Sequence, residues 1–208
     1  MKIIGIDWNS SVHNKAPEAA LLSTGVPALF MKPDSAWQRC NKPFFVPDEL
    51  GRIDIEAHLV VRIGRLGKSI PQRFAHRYAD AVTVGIDFTA HDVLEAARQG
   101  GAPWDLAKGF DGAAVTGEWV PLADLGQDVL GQALAYRLDR NGETVQRGGT
   151  EALRWSISEL IAYCSRFLTL KTGDMLFTGA APGAVAAAIG DNLTGWLNDR
   201  QVLELRCR

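Results

Sequence analysis

The chain has 208 residues, 47% of them hydrophobic, which at this length suits one domain over 1–208 with a sizeable core. Its 22 basic and 24 acidic residues nearly cancel to a net charge of -2, leaving no basic excess for a nucleic-acid surface. No apolar run approaches the ~20 residues of a membrane span, and Asp7 follows Met1 too soon for a signal peptide. The three cysteines, Cys40, Cys164 and Cys207, make no Cys-x-x-Cys pair. That count predicts a reducing, cytoplasmic setting and argues against a thiolate zinc site.

Met1–Ile6 reads as a short first strand. Asp7 to Glu18 follows as a polar loop or short helix, and its His13 is of a kind that is most often simply solvent-exposed. Val26 to Ala36 is a buried strand ending in the Lys32-Pro33 turn. Lys32 there is either an anchor for an anionic substrate or an ordinary strand-end lysine. Trp37 to Leu50, rich in Pro, Asn and aromatics, reads as loop.

The stretch from Ile53 to Asp92 is the most informative. Ile53–Gly64 and Ala81–Asp92 read as two strands, rich in β-branched residues and closed by Gly or polar turns. In the first, Ile53, Ile55, Ala57 and Leu59 take one face while Asp54, Glu56 and His58 take the other. Same-face neighbours stand about 6.5–7 Å apart at the backbone, so two such side chains can converge on one ion. Asp87 falls in the second apolar run, where an isolated carboxylate is costly to bury. A cation shared by Glu56, His58 and Asp87 explains all three. The alternative is a wet antiparallel face for Glu56 and His58, with Asp87 as a turn or capping residue.

Between these strands, Pro71–Tyr78 reads as a short helix. Asp92–Gly100 reads as another, with Val93, Leu94, Ala96 and Ala97 as its apolar stripe and Gly100-Gly101 as its stop. Trp104–Gly112 carries Lys108, acids and two large aromatics among glycines, where no regular element is expected. It either lines a site or is a surface turn with its aromatics tucked inward. Ala114–Val120 is a strand. Ala133–Asp139 and Thr144–Gly149 pair through an Asn141-Gly142 turn. Ser156-x-x-Glu159 is a capping box, opening a helix that packs through Ile157, Leu160, Ile161, Cys164 and Leu168. Met175–Gly179 and Val202–Arg206 are the last strands, separated by the flexible Ala180–Gly183 loop. The class is α+β, β-rich with few helices.

In this order, several pieces resemble motifs of the fumarylacetoacetate hydrolase family, over nearly the whole chain. They are Asn9-x-x-x-His13, Leu29-Phe30-x-Lys32-Pro33-x-Ser35-Ala36, Asp54-x-Glu56-Ala57-x-Leu59-x-Val61-x-Ile63-Gly64 and Val84-Gly85-x-Asp87-x-Thr89-Ala90-x-Asp92. Trp104-x-x-Ala107-Lys108-Gly109-Phe110-Asp111 and Gly173-Asp174 through Thr178-Gly179 complete the series. The resemblance implies a mixed β-roll of the family's C-terminal domain type, with an N-terminal strand and lid-like loop region over 1–50, in a homodimer. It implies a divalent cation, Mg2+ or Mn2+ and sometimes Ca2+, and small 2-oxo or 2-hydroxy-dienoic acids as substrates. Glu56 and Asp87 would ligate the metal, with His58 as a third ligand. Lys108 would lie beside the substrate oxygens and His13 would be the acid/base. Lys32, Asp92, Thr178 and Gly179 would line the substrate.

Four departures qualify the resemblance. His58 replaces the second glutamate of the strand signature, which removes a negative charge and moves preference toward Mn2+, Fe2+ or Zn2+. His91 stands where arginine is usual. Ala16 takes the place of an acid three residues after the loop histidine, and Glu18 is the nearest carboxylate. Ala180-Ala181 replace Thr-Pro. The expected activity is metal-dependent hydrolysis of a carbon–carbon bond in a β-diketo or 2-oxo acid. Isomerisation or decarboxylation of related acids is the alternative. A binding protein that has lost turnover is the alternative from another class.

Overall fold

The computed structural model describes residues 1–10, 25–126 and 133–208. Its strands are β1 (Ile3–Asp7), β2 (Ala28–Lys32), β3 (Trp37–Arg39), β4 (Ile53–Ile63), β5 (Ala79–Ala90), β6 (Ala114–Thr116) and β7 (Val120–Pro121). β8 (Ala135–Arg140), β9 (Glu143–Gly149), β10 (Met175–Ala180), β11 (Val185–Ala186), β12 (Asn192–Leu197) and β13 (Arg200–Arg206) follow. Among the described residues three α-helices lie between them: α1 (His91–Gly100), α2 (Asp105–Gly109) and α3 (Ile157–Phe167). None of the described helices is long and apolar enough to cross a membrane. One sheet runs β2-β1-β10-β4-β5-β6-β3, with β11 beside β4 and β7 beside β5, and a second runs β13-β12-β8-β9. This is the β-rich α+β architecture expected.

β4 and β5 are antiparallel, in register from Ile53 opposite Ala90 to Arg62 opposite Ala81. Alternation then sorts their side chains. Ile55, Leu59, Val61, Val84 and Ile86 enter a core shared with Leu138, Leu193, Leu203 and Leu205 of the second sheet and with Leu160, Ile161 and Cys164 of α3. On the other face Val60 joins Ile3, Ala114, Met175 and Phe177 in a second apolar cluster. The polar residues of that face are not wet: His58, Asp87 and Thr89 are buried. β10 flanks β4 in the same sheet, while β2 and α2 bring Lys32 and Lys108 onto this face, so the polar side chains are covered as well.

The local signals give the elements they predict. Asn141 and Gly142 both take positive φ, 53° and 87°, which a two-residue hairpin turn requires. At α3 the Ser156 hydroxyl accepts the Glu159 N–H at 3.3 Å, while the Glu159 carboxylate accepts the Ser156 N–H at 2.8 Å. Cys164 is packed in the core as its spacing predicts.

The departures come from long-range pairing. Trp37–Arg39, expected as loop, is a strand because it pairs in parallel with β6. The single strand expected over Ala114–Val120 is two, broken at Gly117, where a Cβ would lie 2.4 Å from the Val202 carbonyl oxygen of β13. The short helix expected over Pro71–Tyr78 is present as a 3-10 helix over Gln72–Arg77. Asn192–Leu197, for which the sequence carried no expectation, is β12. Trp104–Gly112 was expected to be irregular, yet it holds the short helix α2 and places Lys108 in its last turn.

Candidate active site

The register of β4 and β5 sets Glu56 directly opposite Asp87. Lys108, arriving on α2, inserts its ammonium between them. Nζ lies 2.7 Å from Asp87 Oδ2, 3.0 Å from Glu56 Oε2 and 2.7 Å from Thr89 Oγ1. Thr89 in turn donates to Glu56 Oε2 at 2.9 Å. Lys32, at the end of β2, approaches Asp87 from the other side. Its Nζ pairs with Asp87 Oδ1 at 2.6 Å as an ion pair without hydrogen-bond geometry, and donates to the carbonyls of Lys108 and Phe88 at 2.6 and 3.2 Å. The Phe30 ring lies 4.6 Å from the Lys108 ammonium, measured to its centroid. Only the Glu56 side chain keeps appreciable exposure, 25%.

These contacts set the charge states. Burial works against ionising Asp87, but the Lys108 and Lys32 ammonium groups overcome it and hold the carboxyl at about 2. Burial opposes the Glu56 charge too, and Lys108 holds it below its ordinary value all the same. Lys108 is disfavoured by burial and then raised well above the ordinary lysine value by Asp87 and Glu56. Lys32 is pulled down to about 8, because burial outweighs its pairing with Asp87. Burial, with the charges of Glu56 and Asp87, raises the Asp7 carboxyl at the end of β1 to about 6 against the pull of Lys108. An acid of that strength can both take and give a proton at neutral pH.

His58 completes the polar face. Its Nδ1 accepts the Gly179 N–H at 3.2 Å, while Nε2 is buried without a hydrogen-bond partner, 3.9 Å from Asp87 Oδ2. Burial lowers its pKa to about 4, so the ring is neutral at physiological pH. Gly179 can offer its N–H because β10 bulges between Phe177 and Ala180. Its φ is 134°, and a Cβ there would lie 2.6 Å from Asn9 Cβ. Asn9 ties this bulge down, donating to the Thr178 carbonyl at 2.6 Å and accepting the Trp155 N–H at 2.8 Å. Around Ile55–Ala57 of β4 the Gln146 amide takes the part of a peptide group. It accepts the Ala57 N–H at 2.6 Å and donates to the Ile55 carbonyl at 2.9 Å.

The structure therefore brings Glu56, His58, Asp87, Lys108 and Lys32 together. Gly179 reaches the group through its backbone N–H, whereas the Thr178 hydroxyl is committed to the Leu59 carbonyl at 2.9 Å. Asp92 stands apart: it is exposed, and its carboxylate accepts the Arg52 N–H at 2.9 Å at the start of α1. His13, Ala16 and Glu18 lie outside the described residues. Asp7, Thr89 and Gln146 were missed by sequence reasoning, although Thr89 stands two residues from Asp87 on the same strand face and so carried a signal. A cavity of about 580 Å3 lies along β13 and Cys40–Pro43, and none of the candidate site residues lines it.

Glu56 and Asp87 face one another across the strand pair with hard carboxylate oxygens. That pair suits an oxygen-binding cation such as Mg2+ or Mn2+. Among the described residues, no group of three or more His, Cys, Asp or Glu side chains is arranged to hold an ion.

Oxaloacetate tautomerase YcgM of Escherichia coli (strain K12) is 32% identical over 193 residues, spanning 93% of this chain and 86% of that protein. The crystal structure of fumarylpyruvate hydrolase from Pseudomonas aeruginosa in complex with Mn2+ and pyruvate superposes with a TM-score of 0.86 at 28% identity, covering 100% of this chain and 89% of the other. That of 5-carboxymethyl-2-hydroxymuconate delta-isomerase from Mycobacterium smegmatis gives a TM-score of 0.82 at 27% identity, covering 99% and 78%. The family model for the fumarylacetoacetate (FAA) hydrolase C-terminal domain matches residues 2–208, and the chain belongs to that family.

Proposed function

We propose that this protein is a divalent-cation-dependent enzyme that carries a small 2-oxo acid through its enolate. The observation behind this reading is the Lys108 ammonium held between Glu56 and Asp87. A cation bound by those two carboxylates would act as a Lewis acid on the carboxylate and keto oxygens of the acid. Lys108 sets a fixed positive charge beside the oxygen on which enolate charge grows, and burial makes that charge more effective than it is in water. Lys32 keeps Asp87 ionised and oriented.

Two reactions share this enolate. Tautomerisation moves one proton between carbon and oxygen, whereas hydrolysis of an acylpyruvate also needs an activated water. We favour tautomerisation or isomerisation over the hydrolysis expected from the sequence. Ala16 removes the acid that would pair with His13 to activate water, and a single proton carrier suffices without it. His13 is the carrier expected from sequence. The Escherichia coli tautomerase supports the same choice.

The test follows the enol absorbance of oxaloacetate, and the absorbance of acetylpyruvate and fumarylpyruvate, with Mg2+ or Mn2+. Metal-dependent decay of the oxaloacetate enol is expected, with Lys108→Met lowering kcat by at least about 100-fold. Cleavage of the acylpyruvates without tautomerisation would restore the hydrolase reading. Binding of pyruvate without turnover of any acid would make the protein a binding module.

A further inference from the structure

We propose that Gln146 is a positioning residue for the cation-binding pair: its side-chain amide holds both peptide groups that meet at Glu56, and so sets where the Glu56 carboxylate points. The inference rests on the metal-dependent reading above. It goes beyond that reading by giving a residue of the second sheet a part in the affinity for the ion.

The first argument is the ladder beside β4. Along that edge β10 pairs as far as Ala180, opposite His58, and β11 resumes with Val185, opposite Ile55. Between them the Ala181 N–H bonds the Ala57 carbonyl at 2.8 Å, and the chain then leaves β4. Gln146 enters where it leaves. It stands on β9 opposite Leu138 and is 2% exposed. Its Oε1 accepts the Ala57 N–H at 2.6 Å, and its Nε2 donates to the Ile55 carbonyl at 2.9 Å and to the Gly183 carbonyl at 3.0 Å. Both donors of the amide and its acceptor oxygen are therefore in use.

The second argument is what those bonds fix. The Ile55 carbonyl belongs to the peptide group before Glu56, and the Ala57 N–H to the one after it. Peptide groups are planar, so only φ and ψ of Glu56 lie between them. Holding both groups fixes the Glu56 Cα and the direction of its side chain. That direction matters more for Glu56 than for Asp87. Asp87 is buried between two ammonium groups, whereas the Glu56 side chain is 25% exposed and its bonds from Thr89 and Lys108 both fall on Oε2. The same hairpin also reaches the next strand, where the Tyr136 hydroxyl of β8 donates to the Gly179 carbonyl at 3.3 Å. The second sheet thus braces β4 and β10 at the level of the site.

The experiment measures Mn2+ affinity of the full chain without substrate, following free Mn2+ by electron paramagnetic resonance. Gln146→Met, of similar length but apolar, should weaken Mn2+ binding at least about tenfold, since a misplacement near 1 Å can cost about 100-fold. Ile86→Ala, which loosens the opposite face of the same strand pair, should change it by less than about threefold, so lost stability alone does not account for the effect. In a Glu56→Gln background, adding Gln146→Met should weaken binding by less than about threefold further, because Gln146 acts through Glu56. Should Gln146→Met not fold, the wild type answers by hydrogen exchange. Mg2+ should slow exchange of the Ala57 N–H at least about tenfold more than that of the Leu160 N–H in α3, because a bond that helps to hold the ion is held by it in turn. The inference alone is overturned by Gln146→Met binding Mn2+ within about threefold of wild type, by an equal loss in Ile86→Ala, by full additivity with Glu56→Gln, or by Mg2+ slowing both amides alike. No Mn2+ binding by the wild type overturns it together with the metal-dependent function.

Discussion

The two faces of β4 and β5 are made from alternate residues of the same two strands, and they are opposites in chemistry. One carries Ile55, Leu59, Val84 and Ile86 into the main core. The other carries Glu56, His58, Asp87 and Thr89 against two lysines. Both are covered, so the difference is not one of inside and outside. The apolar face stabilises the fold through area removed from water. The polar face is held by reciprocal pairing and becomes a liability as soon as one member is removed. A strand pair can thus anchor a domain and carry a charged site at once, provided that a second layer brings counter-charges to the second face.

Breaking the pairing should cost most. Lys108→Met keeps bulk but leaves Glu56 and Asp87 facing one another uncompensated, and should lower stability by about 3–5 kcal/mol in urea denaturation, alongside its loss of turnover. Ile86→Ala acts on the opposite face two strand positions from Phe88. It should cost about 2–4 kcal/mol by the same measurement while leaving Mn2+ and pyruvate affinities unchanged. If the two variants damaged ligand binding equally, the faces would not be independent.

A finer separation uses pH. Asp7 is raised to about 6, so the folded state keeps its proton longer than the unfolded chain does. Its contribution to stability is present at low pH and declines as pH rises from about 4 to about 6. Asp87 is depressed to about 2, so its contribution is present above about 4 and is lost as pH falls toward 2. Asp7→Asn should abolish the first slope, leave the second, and stabilise the protein at pH 7 by about 1–2 kcal/mol, the carboxyl being partly open to solvent. Urea curves between pH 3 and pH 7 check both signs. The smallest effect belongs to a region remote from either face: Ser156→Ala should cost about 1 kcal/mol through the lost cap of α3, with kinetics unchanged.

Much of the fold was legible where structure is local. Alternation told Glu56 and His58 from Ile55 and Leu59, because side-chain direction in a strand follows from the backbone alone. The capping box and the Asn141-Gly142 turn are equally local. The strand Trp37–Arg39 and the break at Gly117 were not legible, since each depends on a partner remote in sequence, β6 in one case and the Val202 carbonyl in the other. The motif series also put Glu56, Asp87, Lys108 and Lys32 together before any geometry was known.

The sequence by itself determined which residue types share a strand face, and therefore that carboxylates and a histidine would converge. Only the tertiary structure decided what those groups are to one another. The β4–β5 register put Glu56 opposite Asp87, α2 and β2 delivered the two ammonium groups that cancel their charge, and a bulge in β10 sent the Gly179 N–H to His58 Nδ1. The reason is physical. Side-chain direction is set by the residue's own backbone, whereas ionisation and tautomer are set by burial and by the nearest partner, here up to 121 positions away along the chain.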